Sequence, residues 1–153
     1  MSQDSGDSYL LLGSVLSPFS QKLRLLCHHA GLPFRWLPQD GSTLQNLAVQ
    51  ARRQALLFGL RRLSYPQLSS LGELPLVPFL FGPRGASYYD SSAIGRYLHD
   101  YPPLRPGVPL IPSAPVPRFF CLFLEEAFDE LGLYILHHQR WVRSARTTRA
   151  PEL

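Results

Sequence analysis

The chain has 153 residues, 45% of them hydrophobic and 17% charged, which is enough apolar material for one ordinary domain or a little more and too little charge for a disordered chain. The net charge is +4, and its positive side is 14 arginines against a single lysine, Lys22. Two cysteines, Cys27 and Cys121, exclude a disulfide framework and a four-cysteine zinc module.

The start, Met1–Ser8, is acidic where a signal peptide is basic. The longest apolar run, Phe119–Leu124, is far below the ~20 residues of a membrane span. The expected setting is therefore the reducing cytoplasm, with no membrane partner. Tyr9–Gly13 is a short apolar run closed by glycine and predicts a buried strand. Ser17-Pro18 then supplies a preferred N-cap and a favoured first helical residue. Phe19, Leu23, Leu26 and Ala30 make one apolar helix face, and Gly31 with Pro33 ends the helix. Phe34–Leu37 alternates as a second strand, so the opening is a βαβ unit.

Thr43–Phe58 predicts a second helix with Leu44, Leu47, Ala48, Ala51, Ala55 and Phe58 on its apolar face. Residues 59–75 read as irregular. Leu76–Phe81 predicts a third strand, Gly82–Gly85 a hairpin turn, and Ala86–Tyr89 a fourth strand antiparallel to the third. Asp90-Ser91-Ser92 caps a short helix that turns Ile94 and Leu98 inward. Seven prolines over 102–117 read as a linker, and a long helix follows over roughly Arg118–Arg143. The order β-α-β-α-β-β-α is an α/β sandwich with a mixed sheet. Pro78 cannot donate to a sheet ladder, and a cis Val77–Pro78 bond reconciles it with a strand start.

Four stretches carry a resemblance: Ser17-Pro-Phe-Ser-Gln-Lys-Leu-Arg-Leu25, Ala30-Gly-Leu-Pro-Phe34, Leu74-Pro-Leu-Val-Pro-Phe79 and Tyr89-Asp-Ser-Ser-Ala-Ile-Gly-Arg-Tyr-Leu98. In this order and spacing they resemble the N-terminal part of a glutathione S-transferase. The resemblance implies a thioredoxin-like glutathione-binding domain over 1–101 and a Pro-rich linker over 102–117. The segment 118–153 is then the incomplete start of an all-helical second domain. Family members continue for several more helices, and the family's electrophile pocket lies largely between the two domains.

By this resemblance Ser17 is the catalytic residue. A helix N-terminus favours a bound thiolate, and a Ser hydroxyl there can donate to glutathione sulfur. Plain N-capping explains Ser17 equally well, and Ser14 is the reserve candidate. Ser17 and Ser20 stand where a redox relative carries cysteines, so dithiol chemistry is excluded. Val77, before Pro78, is expected to offer its backbone to the peptide backbone of glutathione. Asp90 and Ser91 are expected to hold the ammonium and carboxylate of its γ-glutamyl end, or else simply to cap a helix. The implied ligand is glutathione as substrate, with an unknown electrophile.

Other features read as structural. Cys27 and Cys121 fit buried apolar positions. The pairs His28-His29 and His137-His138 each face two directions. Glu125, Glu126, Asp129 and Glu130 read as a solvated face, and no metal is expected. Arg140, Arg143, Arg146 and Arg149 read as a charged tail rather than a nucleic-acid stripe. Arg52-Arg53 and Arg61-Arg62 read as exposed faces, any one of which could approach the glycyl carboxylate. The long helix is apolar nearly all round, which predicts a homodimer or other self-association through residues 118–141. Three readings follow: a transferase, a non-catalytic glutathione-binding or interaction module, and a fragment of a longer transferase.

Overall fold

The computed structural model describes residues 8–39, 43–66, 77–101 and 109–143. The chain divides into two compact units, Met1–Leu110 and Ile111–Leu153. The first carries β1 (Tyr9–Gly13), α1 (Pro18–Ala30), β2 (Phe34–Pro38), α2 (Thr43–Leu57), β3 (Phe79–Phe81), β4 (Ser87–Tyr89) and α3 (Ser91–Asp100), the expected order. The sheet order is β2-β1-β3-β4. β1 pairs parallel with β2, and β3 pairs antiparallel with both β1 and β4. A one-turn 3-10 helix at Pro83–Gly85 links β3 to β4.

Alternation along the strands builds two cores. Leu11, Leu80 and Tyr88 point to one face and pack with Leu23 and Cys27 of α1 and Ile94 and Leu98 of α3. Leu12, Leu37, Phe79 and Phe81 point to the other and pack with Val49 and Leu56 of α2. Each fully buried leucine or phenylalanine contributes about 1.5–3 kcal/mol relative to exposure. The ends of α1 are fixed as the sequence predicts. Ser20 N–H donates to Ser17 Oγ at 3.3 Å, and Gly31, at φ 70°, closes the helix by donating to the Cys27 and His28 carbonyls.

Several expectations need correction. The inward face of α1 includes Ser20 beside the expected Cys27, with Phe19 and Leu26 only half-buried. The face of α2 is different from the predicted one. Leu47 and Phe58 are exposed, and Val49 and Leu56 are buried with Arg52 and Arg53 beside them. The Arg52 guanidinium lies 4.7 Å from the Phe81 ring centre and that of Arg53 5.8 Å from Phe79. Two arginines thus cover the phenylalanine face of the sheet, which their long stems and planar cations can do. Strand β3 is confined to Phe79–Phe81, because Pro78 has no N–H for the ladder. The Val77–Pro78 bond is cis, as expected. Leu44 lies outside the described side chains, and residues 67–76 and 102–108 lie outside the described residues.

In the second unit, α4 spans Pro115–His137 and continues as a π-helical turn over His138–Arg143. It starts three residues earlier than expected, because Pro115 and Pro117 fit a first turn whose N–H groups have no helical acceptor. None of its side chains is buried. Among the described residues, no helix is long and apolar enough to cross a membrane. Arg146 and Arg149 lie outside the described residues.

Candidate functional site

Strand register brings the predicted residues to one end of the sheet. Leu12 pairs with Phe79, and Phe79 with Tyr89, forming one transverse row. One residue beyond that row come Gly13 on β1, the cis Pro78 before β3, and Asp90 after β4. The loop to Ser17, the Val77–Pro78 pair and the start of α3 therefore leave the sheet at the same end.

The loop from β1 to α1 is braced by serines. Ser14 N–H donates to the buried Ser20 Oγ at 3.2 Å, Leu16 N–H to Ser14 Oγ at 3.2 Å, and Ser17 N–H to the Ser14 carbonyl at 3.1 Å. Gly13 leaves room for the Trp36 ring. A Cβ there would lie 2.7 Å from Trp36 Cζ3 and 3.0 Å from Ser20 Cβ, so the ring would have to shift. Ser17 is half-buried and accepts from Ser20 N–H. A hydroxyl that accepts one bond keeps its proton to donate, so capping and donation to a ligand are compatible.

Val77 and Pro78 are buried. Asp90 stands at φ 73°, ψ 122°, a positive-φ conformation outside the left-handed helical region and strained for a residue with a side chain. Its Oδ1 accepts from Ser92 N–H at 2.9 Å and Ala93 N–H at 3.3 Å. Ser91 is buried at the first position of α3. The geometry thus offers a hydroxyl at one helix N-terminus and a carboxylate with a second helix N-terminus on the same end of the sheet.

One residue was missed by sequence reasoning. Lys22, on α1, donates from Nζ to Ser92 Oγ at 3.0 Å. Its only signal was that it is the single lysine among arginines. The arginines divide. Arg61 and Arg62 are exposed as expected and line a cavity of about 580 Å³ with Leu56, Ser64 and Tyr65. That cavity lies near the β3–β4 turn, since Arg61 reaches Gly85, and so away from the row's site end. Arg52 and Arg53 are half-buried instead of exposed. Arg52 donates to the carbonyls of Ala86 at 2.9 Å and Gly82 at 3.4 Å, and burial, then the nearby Arg61 cation, lower its pKa. Cys27 is fully buried, and burial pushes its thiol up to about 12, while Cys121 on α4 is half-buried. Among the described residues, no three His, Cys, Asp or Glu side chains cluster as metal ligands.

The family model of the glutathione S-transferase N-terminal domain matches residues 16–100. No curated protein matches the sequence significantly. Among solved structures the chain is similar to FzlA from C. crescentus, with a TM-score of 0.59 and 18% identity over 92% of this chain and 56% of that one. It is similar to Ure2p in complex with glutathione, with a TM-score of 0.55 and 16% identity over 91% and 58%. A third is the Tau class glutathione S-transferase MiGSTU from mango, Mangifera indica, at 0.53 and 20% over 80% and 46%. These identities establish the fold, a thioredoxin-like domain followed by a helix. The chain spans about half the length of the structures it matches.

Proposed function

Because the chain belongs to the glutathione S-transferase family, we propose that it binds glutathione at the end of the sheet shared by Ser17, Val77, Pro78, Asp90 and Ser91 and transfers it to an electrophilic small molecule. The observation that carries this reading is the common row Leu12–Phe79–Tyr89, from which all three stretches depart. The backbone of Val77 meets the peptide backbone of glutathione. Asp90 and Ser91 hold its γ-glutamyl ammonium and carboxylate. The Ser17 hydroxyl donates a hydrogen bond to the sulfur and, with the N-terminus of α1, favours the thiolate. The thiol proton leaves to solvent, the sulfur lone pair forms a C–S bond, and the electrophile's leaving group departs with the displaced pair. Free Cys27 and Cys121 accord with a cytoplasmic setting, where thiols stay reduced.

The experiment compares wild type with Ser17→Ala in two assays: glutathione affinity by Trp36 and Trp141 fluorescence, and conjugation of a generic electrophile. A thiolate donor acts on the reactive form of the ligand, so conjugation falls by more than affinity. Equal losses mean that Ser17 is only a cap, and a wild type without turnover retires the transferase.

A second reading is favoured by α4, whose Phe119, Phe123, Phe128, Leu131 and Ile135 are all more than half exposed. In that reading the chain is a glutathione-binding interaction module, or part of a longer transferase, that self-associates through residues 118–141. Retention on immobilised glutathione without turnover supports it.

A further inference from the structure

Lys22 occupies a position that helix stability alone does not select. It sits five residues beyond Ser17 on α1, and its ammonium meets Ser92, the second residue of α3. A cation beside a helix N-terminus opposes the helix dipole, so the contact does not serve α3 in isolation. What it does is join two helices. Ser92 is buried, its Oγ accepts from Lys22 Nζ at 3.0 Å, and its N–H donates to Asp90 Oδ1 at 2.9 Å. Lys22, Ser92 and Asp90 therefore form a continuous hydrogen-bonded chain from α1 to the residue at φ 73° that opens α3. Below this chain the helices pack closely, with Leu26 Cδ1 only 3.3 Å from where a Cβ on Gly95 would stand.

We propose that Lys22 is a positioning residue that fixes the first turn of α3, with Asp90 and Ser91, relative to the Ser17 end of α1, and so sets the affinity for the γ-glutamyl end of the ligand. The ligand half of this inference rests on the glutathione reading; the structural half does not. Arginine cannot replace lysine freely here, because a planar fork on a longer stem meets a single hydroxyl with poorer geometry.

The test uses the full chain and four variants, Lys22→Met, Lys22→Arg, Ser92→Ala and the double variant Lys22→Met/Ser92→Ala. In the ligand-free protein, amide hydrogen exchange at Ser92 and Ala93 is expected to rise about tenfold in Lys22→Met, with Leu23–Cys27 of α1 unchanged. The dissociation constant for glutathione is expected to rise about tenfold as well. Lys22→Arg restores part of both. The double variant loses less than the sum of the two single losses, since both remove the same bond. Unchanged exchange at Ser92 and Ala93, or additive losses in the double variant, overturns the proposal. If wild type binds no glutathione, the functional reading falls, and the exchange measurement alone decides whether the Lys22 tie exists.

Discussion

At Asp90 the carboxylate accepts two α3 amides from a backbone at φ 73°, and the same group is the proposed partner of a ligand ammonium. Asparagine separates these roles, because it caps helices as well as aspartate and tolerates positive φ. Asp90→Asn is expected to leave stability within about 0.5 kcal/mol while glutathione binding weakens by about 1.5–3 kcal/mol. Asp90→Ala is expected to lose both, and thermal unfolding alongside a glutathione titration distinguishes the two variants. Cys27 gives a pH prediction. Burial pushes its native thiol up to about 12, whereas an unfolded one titrates at about 8.5, so above that the unfolded chain has shed a proton that the native chain keeps. Stability from this group is full below the unfolded pKa and declines as pH rises toward 12. Tyr88 acts in the same sense at higher pH, raised first by burial and then by its hydrogen bond to Tyr97. Denaturant midpoints are expected to fall between pH 8 and pH 10, and less steeply in Cys27→Ala.

Among the elements, α1 and α3 were legible because local chemistry decides them. Ser17-Pro18, Gly31 and Asp90 each impose a start or a stop that tertiary packing did not override. Helix α2 was legible in extent but not in orientation. Alanine and leucine spacing pointed to one face, whereas the sheet beneath presents the parallel rings of Phe79 and Phe81, which guanidinium groups cover. No periodicity of apolar residues encodes that choice. The burial of Ser20 has no apolar signature for a related reason: a polar residue is fully buried where one backbone N–H, that of Ser14, needs an acceptor. The Lys22–Ser92 contact joins residues 70 apart and has no local signature. Arg52→Ala is expected to cost about 1.5–3 kcal/mol, since it strips charged donors from two turn carbonyls, and Arg52→Met less, because its stem still shields Phe81. Chemical unfolding, with exchange at Ala86 and Ser87, reads both effects.

For the whole chain, both core clusters are built from residues of the first unit, so residues 1–110 contain a complete apolar frame. That fragment is expected to unfold cooperatively and to bind glutathione as the full chain does, while sedimentation at micromolar concentration shows association only when α4 is present. A monomeric full chain that binds no hydrophobic dye would remove the self-association reading. The row Leu12–Phe79–Tyr89 has a consequence for how such a chain can vary. Its three members are constrained jointly, because displacing any one shifts the serine loop, the cis-proline pair and the α3 start together. The tips lie outside this apolar row and are tied instead by polar contacts such as Lys22–Ser92, so a hydroxyl there can be exchanged with the apolar frame untouched. A substitution at one tip is therefore expected to change one group, whereas a loss in the row disturbs all three departing stretches at once.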